Sequence, residues 1–105
     1  MIKTIRLTLE YNTYCLWLYD QNNEIIGNDN PPEWQNDEKL TNAFMKVSDL
    51  YDSFFIDNHK EFKYVGCPNE KKQAELNTLI DSAIAILLEK NKGKYVIKND
   101  ISRDF

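Results

Sequence analysis

Apolar and polar positions alternate strictly near the start of the chain. Over residues 3–11, Ile5, Leu7, Leu9 and Tyr11 fall on one side, and Thr4, Arg6, Thr8 and Glu10 on the other. That is the period-two signature of a strand with one wet face. Residues 14–19, Tyr-Cys-Leu-Trp-Leu-Tyr, are apolar on both sides, which predicts a central strand covered at least in part on each face. Asp20–Asn23 reads as a tight turn, because Asp and Asn tolerate left-handed backbone. Glu24–Ile26 then returns as a short third strand, completing an antiparallel meander.

The period changes after the loop Gly27–Gln35, where Pro31-Pro32 blocks both helix and ladder pairing. From Asp37 to Ile56, Leu40, Phe44, Val47, Leu50, Tyr51 and Phe54 recur every three or four residues, the stripe of an amphipathic helix. Asn36 suits the N-cap, and Asp37 and Glu38 suit the positive helix end. Asp57–His59 breaks this helix, and Glu61–Val65 alternates again as a strand with Phe62 and Tyr64 inward. Pro68 opens a second helix that runs to Asn91. Its core face is Leu76, Leu79, Ile80, Ala83, Ile84 and Leu87, and Gly93 is its natural stop. Tyr95–Ile97 forms a last short strand, and 101–105 a tail. The order β-β-β-α-β-α-β predicts one α+β domain over residues 1–105. Its two layers are a mainly antiparallel sheet of four to five strands and two helices over the Ile5/Leu7/Leu9 side.

Composition agrees with a single globular unit: 105 residues, 12.4 kDa, 42% hydrophobic and 29% charged. These values exclude a disordered tail, a collagen-like chain, a disulfide scaffold and a multidomain enzyme. The net charge is −4, which disfavours a general binder of phosphate backbones. The charge is uneven. Residues 20–58 hold nine acids against Lys39 and Lys46, a balance of −7, while the rest of the chain carries +3. That asymmetry suits either a solvated acidic face or a basic partner. The start of the chain lacks a signal-like apolar run, and no stretch has the length of a membrane span. A cytoplasmic setting follows, with Cys15 and Cys67 as reduced, inert thiols.

Catalytic chemistry finds little to work with. His59 is the only histidine and lies in a polar break, where an exposed loop histidine is the simpler reading than a triad member. One histidine and two distant cysteines make no zinc pattern, and no Asp-rich calcium loop is present. The three glycines are isolated, so no phosphate-cradling loop forms. Asp49 and Asp52, three apart on the outer side of the first helix, read as surface acids and not as an acid–base pair. No enzyme activity, metal or cofactor is expected. The aromatics say more. Tyr11, Phe44, Phe54, Phe62 and Tyr64 fit core stripes, whereas Tyr14, Trp17, Tyr19 and Trp34 are less easily absorbed. If helices cover one sheet face only, one aromatic set of the second strand stays partly exposed unless Trp34 and its loop fold over it. Exposed aromatics beside carboxylates suit protein binding, because aromatic rings anchor and charges steer.

The runs Leu9-Glu10-Tyr11, Leu16-Trp17-Leu18-Tyr19-Asp20, Ile25–Pro32 and Leu50–Asn58 resemble small bacterial immunity-type proteins, the antidotes encoded beside polymorphic or contact-dependent growth-inhibition toxins. The likeness is one of layout, size and acidity over most of the chain, and it transfers no catalytic residues. It implies a non-enzymatic cytoplasmic inhibitor of one cognate toxin domain; the acidic segment points to a basic domain, often a nuclease, and charge and hydropathy predict no direct nucleic-acid or membrane contact. The candidate partner-binding residues are Asp20, Asp29, Glu33, Trp34, Asp37, Asp49 and Asp52. Two competing readings stand beside this one: a small structural or regulatory subunit, and an acidic mimic of nucleic acid that blocks a DNA-binding enzyme.

Overall fold

Alternation at the start of the chain builds the middle of the sheet. The computed structural model describes residues 1–58 and 60–105. In chain order it contains β1 (Ile2–Leu7), β2 (Leu16–Asp20), β3 (Ile25–Gly27), a 3₁₀ turn (Pro32–Trp34), α1 (Glu38–Asp52), β4 (Phe55–Asp57), β5 (Phe62–Tyr64), α2 (Glu70–Asn91) and β6 (Val96–Asn99). The main sheet has the order β3-β2-β1-β6. β1 pairs antiparallel with β2 and parallel with β6. The fold is the expected α+β domain, mainly antiparallel, with both helices on one sheet face.

That face forms the core. Ile5, Leu7, Leu16 and Leu18 from the sheet meet Leu40, Phe44 and Val47 of α1 and Leu76, Ile80, Ala83 and Leu87 of α2 in one buried cluster. Cys15 is buried there too, its thiol 3.4 Å from Ser48 Oγ, and not on the Trp17 face that simple alternation predicts. Burial pushes this thiol up to about 11, so it stays protonated and inert at neutral pH.

Several boundaries differ from the sequence pattern, each for a local reason. β1 stops at Leu7 because the chain turns through Asn12, held at φ 60°, with Thr13 N–H donating to Glu10 O. Asn23 takes φ 62° in the β2–β3 turn, as its composition predicts. The N-cap of α1 is Asp37, whose carboxylate accepts from Leu40 N–H at 2.9 Å, and not Asn36. α2 starts at Glu70 under an Asn69 cap, two residues beyond Pro68. The largest departure is at the end of α1. The helix closes at Asp52, four residues short of Ile56, and Phe55–Asp57 becomes a strand. Phe and Ile suit extended backbone. The Asn58 side chain also accepts from Lys60 and Glu61 N–H at 2.8 and 3.1 Å, turning the chain back on itself. β4 and β5 therefore pair with each other as a separate ribbon and do not join the main sheet.

Candidate protein-binding surfaces

The seven candidate residues do not form one patch. Asp20 closes the β2–β3 hairpin, its carboxylate accepting from Asn22 and Glu24 N–H at 2.8 and 3.0 Å. Asp29, Glu33, Trp34 and Asp37 gather where the N-terminus of α1 meets the C-terminus of α2. Asp49 and Asp52 lie at the other end of α1, about 20 Å away for a helix of this length.

At the first end, acidic side chains serve as internal ties. Asp37 caps α1 and pairs with Lys90 of α2. Those contacts, Lys90 foremost, hold its carboxyl below the usual carboxylate range. Glu33 accepts from Tyr95 Oη and pairs with Lys94 at 3.2 Å. The Tyr95 bond is the main reason its carboxyl is also lowered. Burial, aided by Glu33, pushes Tyr95 up to about 12. Trp34 packs edge-on against the same tyrosine, ring centres 5.7 Å apart. It lies against the helices and not over the open sheet face. Asn30 sits beneath, 2% exposed, taking the Tyr14 hydroxyl at 2.6 Å and donating to Thr41 Oγ1 and Trp34 O. A groove of about 720 Å³ between this loop and β3 is lined by Ile2, Leu18, Ile26, Asp29, Glu33 and Tyr95, among others.

The open face of the sheet is aromatic but basic. Cross-strand neighbours Arg6 and Trp17, Thr4 and Tyr19, and Arg6 and Lys98 are brought together on it. Trp17 donates to Thr8 Oγ1 at 3.0 Å, and Arg6 binds Asp100 at 2.6 Å. The aromatics singled out on β2 therefore stand beside cations, and the nearby carboxylate, Asp100, is already paired with Arg6 and Lys98.

Aromatic rings and acids do meet at the far end of α1. Tyr11 packs at a tilt against Phe55 and Phe62 with ring centres 4.7 and 4.9 Å apart, and its hydroxyl donates to Asp57 at 2.8 Å. Phe55 also stacks on Phe62 and packs at a tilt against Tyr64, and Tyr51 meets Phe55 edge-on. Phe62 is 56% and Tyr64 45% exposed, where the sequence pattern predicts both inward. Among the described residues no second layer covers these side chains of the two-stranded ribbon, so alternation there does not mean burial. Around the rings stand Glu10, Asp52, Asp57 and Asp104, with Asp49 next to Asp52 on α1. Asp52 is raised by partial burial, opposed by the 3.1 Å bond it accepts from Asn12 N–H. Burial raises Tyr51 and Tyr64 as well, with Asp52 and Glu10 adding to the first and Asp104 to the second. Among the described residues, Glu10, Asp49, Asp52, Asp57 and Asp104 make no ion pair.

The sequence does contain a signal for this patch. Phe-Ile-Asp and Glu-Phe-Lys-Tyr-Val flank Asn58-His59-Lys60, two short aromatic runs around an Asn-bearing turn, which is a hairpin pattern. The run of helical spacing before it masks the first strand. The reading of His59 itself lies outside the described residues. Among the described residues no three His, Cys, Asp or Glu side chains gather as metal ligands, and no helix is long and apolar enough to cross a membrane. No protein-family model and no curated protein matches this chain.

Proposed function

We propose that this chain is a binding module of the immunity type, neutralising a cognate basic toxin domain by occupying it. The observation that carries the reading is the pair of exposed rings Phe62 and Tyr64 with half-buried Tyr11 beside them, edged by carboxylates that take part in no ion pair among the described residues. Desolvated aromatic anchors with charged neighbours are the usual energetic centre of a tight interface. Close charge pairs across such interfaces couple by about 1.5–7 kcal/mol, and an acidic rim speeds encounter with a basic partner. Of the seven candidates, Asp52 borders this surface and Asp49 stands next to it on α1. Asp20, Glu33 and Asp37 act inside the fold, and Asp29 lines the groove beside β3.

The test is to co-express the chain with the toxic domain encoded immediately upstream, scoring growth and association together. Protection with a stable complex at moderate salt is expected. A neighbouring gene with no compact basic domain, or a domain that neither associates nor is neutralised, overturns the reading. One observation favours a second reading, a subunit that self-associates. The open sheet face leaves Trp17 and Tyr19 partly accessible, with Val96 and Ile25 more than half exposed beside them. A dimer persisting at low micromolar concentration in sedimentation supports it.

A further inference from the structure

We propose that the groove beside β5 receives one arginine side chain of a basic protein partner, stacked against Tyr51, Phe55 and Tyr64, with Glu10 and Asp104 as its counter-charges. The identity of the partner rests on the binding-module reading; the chemistry of the groove does not. The three rings line a single groove of about 480 Å³, together with Arg6, Glu10, Asp100 and Asp104. Their centres lie 5.3 Å apart for Tyr51–Phe55, 4.9 Å for Phe55–Tyr64 and 6.4 Å for Tyr51–Tyr64, with planes inclined at 68°, 60° and 33°. The rings meet edge-on or tilted and share one groove wall, and a cation seated against the accessible face of such a ring is attracted by its quadrupole.

Charge accounting selects the occupant. Arg6 already lines one wall, but its Nε is bound to Asp100 at 2.6 Å and its guanidinium reaches Tyr19 Oη at 3.4 Å. Lys98 stands 3.8 Å from the same carboxylate. Asp100 is therefore neutralised within the fold. Glu10 and Asp104 are not: among the described residues neither has an ion-pair partner. The groove thus offers aromatic faces and two uncompensated negative charges. A planar guanidinium can stack on a ring and fork to a carboxylate at once, which an ammonium cannot. The groove beside β3 offers less, since its Glu33 is already held by Tyr95 and Lys94, which leaves Asp29 as the one carboxylate of its wall without an ion pair among the described residues.

The test needs no toxin. The full chain is titrated with N-acetyl-arginine amide while the tyrosine ring signals are followed by NMR, with the citrulline analogue and tetramethylammonium as controls. The expected result is saturable movement of the Tyr51 and Tyr64 rings in the millimolar range, with the citrulline analogue about tenfold weaker. Tyr64→Leu keeps apolar bulk and removes the electron-rich phenol ring, and should weaken binding several-fold. Glu10→Gln, on an exposed loop outside the core, should do the same without touching the fold. Equal binding of arginine and citrulline, tighter binding of tetramethylammonium, or rings that do not move overturns the proposal. Saturable arginine binding sustains it even where no toxin associates, and its absence overturns it even where one does.

Discussion

The two ends of α1 use the same residue types for opposite purposes. At the N-terminal end, Asp37 and Glu33 are tied to Lys90, Lys94 and Tyr95. They join the loop before α1 to the end of α2 and the start of β6. At the C-terminal end, Asp52 and Glu10 stand beside the half-buried Tyr51 and, with Asp49, pair with no cation among the described residues. An excess of acid over one stretch of sequence is therefore two things at once. Part of it is neutralised by bases that arrive from residues 90–94, and only the remainder is available to a partner. Net charge says how strongly a segment attracts cations in general; the fold decides which carboxylates are still free to do so.

Four changes break or sharpen this contrast. The largest effect is expected from Asn30→Ala, which strips partners from the Tyr14 hydroxyl, Thr41 Oγ1 and Trp34 O at a buried site. Denaturant unfolding should show a loss of about 2–4 kcal/mol. Next, Asp49→Lys with Asp52→Lys should leave the folded state nearly as stable. It should weaken association with a basic partner at least about tenfold and flatten its salt dependence; unchanged affinity would remove these acids from the interface. Third, Phe62→Ser, at a ring more than half exposed, should cost at most about 1 kcal/mol of stability while lowering affinity. A larger loss of stability would mean the ribbon is a structural element.

The smallest effect is in pH dependence, and its sign differs between the ends. Asp37 and Glu33 have lowered folded-state values, through Lys90 and Tyr95 respectively. Their contribution is present above the ordinary carboxylate values of 3.8 and 4.5 and is lost as pH falls through the lowered ones. Asp52 is raised by burial, so its contribution has the opposite sense: present below the ordinary value and lost as pH rises through the raised one. Thermal midpoints measured between pH 6 and pH 3 should fall less steeply in Asp37→Asn with Glu33→Gln than in the parent. In Asp52→Asn they should fall more steeply. Identical slopes in all three would refute the division.

Most of the fold is legible in the residue pattern because the pattern is governed by burial against one face. Ile5, Leu7, Leu16 and Leu18, and the stripes Leu40–Phe44–Val47 and Leu76–Ile80–Ala83–Leu87, are the buried cluster. What the pattern misses is decided by local competition. Phe54 continues the helical spacing of α1 and is buried, yet its carbonyl accepts from Val65 and Gly66 N–H, at the return of the β4–β5 ribbon. Periodicity alone cannot distinguish a side chain that continues a helix stripe from one that enters a strand. The surface was less legible for a related reason. Phe62 and Tyr64 alternate like core residues, and only the separation of the ribbon from the main sheet leaves them exposed. Conversely, Glu33 and Asp37 look like free surface acids until α2 and β6 bring Lys90, Lys94 and Tyr95 to them.

The parallel pairing of β1 with β6 also sets a clock. Thr4 and Val96 are register partners separated by 92 positions along the chain. At a synthesis rate of about 5–20 residues per second, β1 waits about 5–18 s for its neighbour to emerge. Through that interval one edge of the central strand is open, and open strand edges recruit other strands. Lys3 and Arg6 sit on β1 itself, and charged residues on a strand edge are the usual guard against such recruitment. Closing so long a loop is also a slow step once synthesis ends. The sheet is thus finished last at the strand where it was begun.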